Sequence, residues 1–402
     1  MRTGFMRKID YHIGIPVCSF FSLLHSLSRR FLRKDRSVHN PRKILFIKLF
    51  GMGTVVLSTP ALQRCREQYP DAELFFLSFT ETKGVFDLLP LTRSLKLILI
   101  RTSSLAAFAA DTFRVLLRLR KERFDVVVDL EFFSRFTSVI SFLSRARNRI
   151  GFYNHYIEGL YRGDFLTHKV FYNHYQHTAL SYLDMVDTMR LGGVLPYNKT
   201  QNHELPRLAE LGIAFEPSAE EGRALAARFG LGDEPLVLLN PNISEGFIDL
   251  RRWPLDHFAE LARTVLREIP GVRIGIIGAS GDLAVAEDLE ARIGDSRVIN
   301  FAGATSLREL CVLFGLSRCL VTNDSGPAHL AALTSTHVIT LFGPDTPMLF
   351  GSLAKRASNI FLGLGCSPCG SIYNGKRTVC RDNQCMKQIT PEMVFGELRR
   401  EW

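Results

Sequence analysis

No apolar run in the 402-residue chain approaches the ~20 residues needed to span a bilayer, so no transmembrane anchor is expected. There is no arginine-rich tail and no zinc-finger or RNA-recognition pattern, and nucleic acid is therefore not an expected partner. The N-terminus is basic and apolar, but it has no small-residue cleavage site and basic residues follow it directly, which argues against a secretory signal. Acidic residues are in deficit: 40 Asp and Glu face 50 Lys and Arg, for a net charge of +10 and a pI near 9.3. That balance suits anionic partners, either anionic lipid or phosphorylated substrates. With 46% hydrophobic and 22% charged residues, the composition is that of a folded globular protein. The length allows two domains. Of the eight cysteines, Cys18, Cys65, Cys311 and Cys319 lie singly in apolar surroundings and read as reduced core thiols, which favours the cytosol.

Residues 1–42 form an N-terminal extension. Arg2, Arg7 and Lys8 precede an apolar stretch over 13–24, and Arg29, Arg30, Arg33 and Lys34 follow it. Two readings fit. One is an anchor whose phenylalanines and leucines enter the headgroup boundary of an anionic membrane while the arginines meet lipid. The other is a helix packed on the fold. Short buried-strand patterns then run over 43–48, 73–78, 95–100, 126–130 and from 149, with helices over 60–68 and 105–120. Polar, proline-broken sequence over 197–217 reads as a link. A second series follows: strands over 236–239, 273–277, 298–300, 319–322 and 338–342, and helices over 219–229, 255–268, 283–293 and 307–314. Strands alternating with helices predict an α/β fold of parallel sheets covered on both faces. The expected domains are 43–205 and 206–388, with a closing helix in 389–402.

The most informative stretch runs over 319–344. An apolar strand ends in the turn Asn323-Asp324-Ser325-Gly326, Pro327 suits the first turn of a helix, and a second apolar strand ends at Gly343-Pro344. Ligands of open parallel sheets sit beyond the carboxyl ends of the strands, where a helix N-terminus offers free N–H groups to an anion. A capped helix alone would also explain Asp and Ser before Pro. In the same half, Arg251-Arg252-Trp253-Pro254 follows a long loop after a strand end, where two adjacent arginines can grip phosphate oxygens. Near the C-terminus, Cys366, Cys369, Cys380 and Cys385 have spacing that fits a structural zinc site or two disulfides, with four free thiols as the remaining reading.

Thr322-Asn323-Asp324-Ser325-Gly326-Pro327-Ala328-His329, followed by Leu341-Phe342-Gly343-Pro344, resembles the donor-site signature of the ADP-heptose lipopolysaccharide heptosyltransferases, glycosyltransferase family nine. Stretches over 44–62, 240–254 and 366–386 agree in order, and the similarity covers nearly everything from Lys43 onward. The resemblance implies a GT-B architecture, two Rossmann-like domains facing across a cleft, the first on the acceptor side and the second on the donor side. It implies an inverting, metal-independent glycosyltransferase that requires no cofactor for catalysis. Such an enzyme moves heptose or a related sugar from an ADP-heptose-like donor to a lipid-linked surface glycan, at the inner face of the cytoplasmic membrane.

Residue by residue, Arg251 matches a lysine that contacts donor phosphate in relatives, and Ser325 and the Gly326 amide match positions touching the phosphates. Ser244, in the same loop as Arg251, offers a hydroxyl. Asp324 would hold sugar hydroxyls, and His329 would brace the loop or contact the donor. Asp282 is the candidate for ribose, with a helix cap as the competing reading. Relatives read Gly-Asp-Val in the turn after the first strand, and that Asp is their base; here the turn reads Gly53-Thr54-Val55. Threonine cannot take a proton near neutral pH, so the base expected in its place is Glu131, unless Glu131 merely pairs with Arg135. Lys48 and Gly53 would line the acceptor side. Two other functions compete with transfer: a nucleotide-sugar epimerase or hydrolase on the same fold, and a non-catalytic nucleotide- or glycan-binding relative.

Overall fold

In a computed structural model, the structure describes residues 3–31, 38–132, 134–153, 161–191, 204–243, 249–372 and 378–402. The chain forms two compact units. One takes in everything to Glu204 apart from Leu88–Pro90, and the other holds Leu205–Trp402.

The first unit runs α1 (Thr3–His12), α2 (Gly14–Phe31), β1 (Lys43–Ile47), α3 (Met52–Leu57), α4 (Thr59–Gln68), β2 (Glu73–Phe79), α5 (Lys83–Leu88), β3 (Lys96–Ile100), α6 (Leu105–Glu122), β4 (Val126–Asp129), α7 (Arg135–Leu143), β5 (Asn148–Tyr153), β6 (His168–Phe171) and α8 (Thr178–Leu191). Its six strands are parallel, in the order β3-β2-β1-β4-β5-β6. The second unit runs α9 (Ala219–Phe229), β7 (Leu236–Asn240), α10 (Leu255–Glu268), β8 (Arg273–Ile276), α11 (Leu283–Ile293), β9 (Val298–Asn300), α12 (Leu307–Leu316), β10 (Cys319–Asn323), α13 (Gly326–Leu330), β11 (His337–Phe342), α14 (Pro347–Phe350), β12 (Ala357–Phe361), α15 (Gln384–Lys387) and α16 (Pro391–Arg399). Its order is β12-β11-β10-β7-β8-β9, also parallel. Counted within each unit, both sheets have the order 3-2-1-4-5-6, whose topological switch point lies between the first and fourth strands. These are the pairs β1/β4 and β7/β10.

The central strands are continuous apolar runs because both of their faces are covered. β7, β10 and β11 are buried throughout, as is β1 after Lys43. Leu45, Ile47, Phe75, Leu77 and Val127 form the core of the first unit with Val115 and Leu119 of α6. Val237, Ile274, Val321 and Ile339 do the same in the second, against Phe258, Leu261 and Val265 of α10. Elements without a clear sequence signal include α7, β6, α8 and β12. The β-branched and aromatic content of Arg135–Leu143 disfavours a helix, yet the segment is capped by Ser134 and pinned between α2 and the sheet.

Residues 3–31 are not a free extension. Cys18 is fully buried and His25 nearly so, Met6 enters the first unit's core, and α2 packs along α7. Asp10 accepts the Phe136 amide at 2.8 Å and the Arg135 amide at 3.3 Å, capping α7 from another helix. The closing helix α16 belongs to the second unit, where Val394 and Leu398 enter the core. Cys65, Cys311 and Cys319 are buried, as expected of core thiols, and burial pushes the Cys65 and Cys311 thiols up to about 12.

Because Asp10 satisfies orphan donors at a helix start, Asp10→Ala is expected to cost about 1 kcal/mol. Chemical unfolding followed by circular dichroism would check this; unchanged stability would mean that water replaces the cap without loss.

Candidate functional site

At the switch point of the first sheet, the turn after β1 begins at Gly51, whose φ of 84° favours glycine. Thr54 Oγ1 donates to the carbonyls of Phe50 and Gly51, both at 2.8 Å, so its hydroxyl is spent on shaping this turn. Gly53 is buried in the first turn of α3. Glu131, just past β4, reaches across to the same turn. Its Oε1 accepts from Lys48 Nζ at 2.8 Å, from the Leu49 amide at 2.7 Å and from the Phe50 amide at 3.0 Å. Both members of the Lys48–Glu131 pair are buried. Lys48 is therefore engaged with Glu131 rather than held out toward an acidic acceptor, as the sequence suggested. Glu131 does not pair with Arg135, which meets Asp10 instead. Oε2 takes part in none of the three bonds, so a second oxygen remains for chemistry.

Behind Glu131 lies a pair that sequence reading missed. Arg162 and Asp129 are fully buried in direct contact. Arg162 Nη1 also donates to the Glu131 carbonyl at 3.0 Å, and Asp129 Oδ1 accepts the Glu131 amide at 3.1 Å. Burial pushes the Asp129 carboxyl up and the Arg162 charge opposes the rise. An unpaired buried charge is costly, so the pair fixes the position of the Glu131 backbone. Nothing local in the sequence marked Arg162, which lies 33 residues from its partner.

The second sheet repeats the arrangement. Asn240, at the end of β7, donates from Nδ2 to Thr322 Oγ1 at 2.8 Å and to Ser325 Oγ at 3.0 Å. Asn323, at the end of β10, accepts the Trp253 amide at 3.0 Å and donates to the Pro241 carbonyl at 2.9 Å. Arg251 Nη1 donates to the Asp324 carbonyl at 2.9 Å and to its Oδ2 at 3.2 Å. Arg251, Asp324 and Ser325 are thus brought together, all buried, with the partly exposed Gly326 opening α13 beside them. Asn383 supports the arginine loop from below, donating to the carbonyls of Leu250 and Arg252 at 3.0 and 2.8 Å. Near this corner, Asn242 Oδ1 and His329 Nδ1 are buried with no hydrogen-bond partner among the described residues. Burial lowers the His329 pKa to about 4, so the ring brings no positive charge to an anion near neutral pH. Asp282 makes the capping bond, accepting the Ala279 amide at 2.9 Å. Ser244 lies outside the described residues.

The profile of Glycosyltransferase family 9 (heptosyltransferase) matches residues 112–377, the greater part of the chain. The chain belongs to this family. Among curated relatives, lipopolysaccharide heptosyltransferase 2 of Salmonella typhimurium is 30% identical over 191 residues, 46% of this chain and 52% of that protein. That alignment spans only about half the relative's length. Lipooligosaccharide heptosyltransferase 2 of Haemophilus ducreyi is 26% identical over 377 residues, covering 89% of this chain and 99% of its own. The solved structure of Escherichia coli ADP-heptose lipopolysaccharide heptosyltransferase II superposes with a TM-score of 0.66 at 20% identity, covering 89% of this chain and 98% of that one. The likeness shows the fold to be of the GT-B class.

Two features need care in a family 9 chain. Thr54 is bound into its turn, and no acid stands in its place. The four C-terminal cysteines are free thiols here. No disulfide joins them, and among the described residues no group of three or more His, Cys, Asp or Glu is placed to hold a metal. They do lie near one another: burial, reinforced by Cys369, Cys380 and Cys366, pushes the Cys385 thiol up to about 11. Cys385 and Met386 pack against Gly343, where a Cβ would come within 2.6 Å of Met386 Sδ.

His329 gives a pH prediction. Its folded-state value lies below the ordinary 6.5, so between about 4 and 6.5 the unfolded chain binds more protons than the folded one. Stability is then fully present above pH 6.5 and is lost as pH falls through that window, by roughly 2–3 kcal/mol at pH 4.5. The acid-side slope of melting temperature should flatten in His329→Gln; an unaltered slope would show that other groups set it.

Proposed function

We propose that the chain transfers heptose or a closely related sugar from an ADP-heptose-like donor to a lipopolysaccharide-core or other lipid-linked surface glycan, with inversion. The observation that carries this reading is Arg251 folded onto the Asp324–Ser325 corner at the switch point of the second sheet. A guanidinium beside free helix amides matches the charge that develops on a departing diphosphate. In this reaction the anomeric carbon gains a bond to the acceptor oxygen and loses its bond to the diphosphate. The hydroxyl proton passes to a base, for which Glu131 Oε2 is our candidate, and Arg251 neutralises the leaving group without a catalytic metal. Asp324 would turn from Arg251 toward sugar hydroxyls when donor binds, and Asn242 Oδ1 offers an acceptor to the nucleoside. A lipid-linked acceptor places the reaction at the inner face of the cytoplasmic membrane.

One observation favours a binding-only relative instead: Thr54 is immobilised and Glu131 Oε1 is committed to three donors. Nucleotide release measured with ADP-heptose, with and without a deacylated acceptor glycan, separates the readings. Release only when acceptor is present supports transfer, release without acceptor indicates hydrolysis or epimerisation, and tight binding with no release indicates a binding protein.

Two substitutions assign roles. Glu131→Gln keeps a side-chain oxygen for the Leu49 and Phe50 amides, and should lower kcat at least ~100-fold with little change in donor KM if Glu131 is the base. A near-normal kcat would leave it as a clamp only. Arg251→Ala should raise donor KM or lower kcat/KM by at least about tenfold, corresponding to loss of a charge-assisted contact, and Arg251→Lys should recover part of that loss. Equal kinetics in all three proteins would remove Arg251 from the donor site.

A further inference from the structure

The helix α2 is apolar on two sides. Its inner side packs on α7 through Cys18, Phe21 and His25, with Phe21 against Phe142 at 5.1 Å between ring centroids. Its outer side exposes Phe20, Leu23, Leu24 and Leu27, with Ile13 just before the helix, Phe20 and Leu23 being 58% and 60% exposed. These positions fall at i, i+3, i+4 and i+7, a single stripe. A helix that is apolar all round is normally buried on all sides, and large contiguous apolar patches on a surface mark an interaction site. The same face of the first sheet carries α6, which packs beside α7. Its outward positions Leu105, Phe113 and Leu117 repeat the pattern, with Phe113 65% exposed. Along the stripe run Arg114, Arg118 and Lys121, all exposed, while Asp111 is already neutralised by Arg101 and Arg114.

The charge indicates which partner covers this face. Residues 1–34 carry seven basic residues and one acidic one, so they supply six of the chain's ten net positive charges. Exposed Phe and Leu interleaved with Arg and Lys are the chemistry of the interface of an anionic bilayer, where apolar side chains enter the acyl boundary and cations meet lipid phosphates. We infer that the outer faces of α2 and α6 together form the surface by which the first unit lies on an anionic membrane. The docking device is therefore built into the folded unit and is not a detachable tail. This rests on the lipid-linked acceptor of the proposed function for its purpose, though not for its test.

Deleting residues 1–34 would strip Cys18, His25 and the Asp10 cap from the core, so exposed positions are the better test. Sedimentation with phosphatidylglycerol-containing vesicles and with pure phosphatidylcholine vesicles should be compared for the full chain, Phe20→Glu/Leu23→Glu and Phe113→Glu/Leu117→Glu. The full chain should bind only the anionic vesicles. Each double variant should partition at least about tenfold more weakly, with unchanged melting temperature and unchanged turnover on a deacylated acceptor. A full chain that stays in the supernatant overturns the inference, and so does binding retained by both variants. Binding retained by one variant removes that helix from the surface. If the variants instead dissolve a dimer seen in sedimentation velocity while vesicle binding persists, the face joins two copies of the chain and the membrane inference falls. Vesicle binding is read without substrate, so an inactive protein that still binds would defeat the transferase reading and leave this one standing.

Discussion

In each sheet, one polar side chain ties together the carboxyl ends of the first and fourth strands. In the first unit it is Glu131, whose single oxygen gathers Lys48 and the amides of Leu49 and Phe50. In the second the tie runs through Asn240, which holds Thr322 and Ser325. A parallel sheet of order 3-2-1-4-5-6 opens a crevice at this point, because the connections leaving the first and fourth strands diverge to opposite faces. The backbone groups bared there are buried and must be satisfied. A carboxylate or carboxamide can do so while keeping one polar atom in reserve: Glu131 keeps Oε2, and at the second crevice Asn242 keeps Oδ1. The requirement that stabilises the fold also equips the crevice for a ligand.

The same requirement explains how the chain tolerates Thr54. In a turn gathered only by backbone, losing an acid would change both chemistry and shape. Here shape is set from two other directions, by Thr54 Oγ1 on the Phe50 and Gly51 carbonyls and by Glu131 on the Leu49 and Phe50 amides. The turn thus keeps its conformation without an acid, while Glu131 from the neighbouring strand is the base we propose.

Much of the fold was legible because buried parallel strands are short apolar runs with sharp ends. β9, α9, α10 and α11 have the limits that the pattern predicts, since capping residues and glycines such as Gly230 and Gly294 mark them. The missed elements are those whose stability is tertiary. α7 has a helix-averse composition and depends on Ser134, Asp10 and its packing against α2. β12 is an edge strand, only partly buried, with little apolar signal. The corner proposed for the donor was legible because Arg251, Asp324 and Ser325 come in short, recognisable words. Asn240 and Asn323 stood in those words too, but a carboxamide has many uses and only its partners reveal this one. Arg162 could not have been found, because its meaning lies wholly in a contact with Asp129.

The four C-terminal cysteines lie in a segment tied closely to its neighbours. Their short spacing suits tetrahedral ligand geometry. Several other contacts also hold the segment. Asn383 is bonded to the Arg251 loop, Met386 and Cys385 fill the space left by Gly343, and Trp253 donates to the Ile389 carbonyl at 2.9 Å. These contacts join residues 383–389 to the β7–α10 and β11–α14 turns. The segment therefore supports the Arg251 loop through packing and through the hydrogen bonds of Asn383 and Trp253.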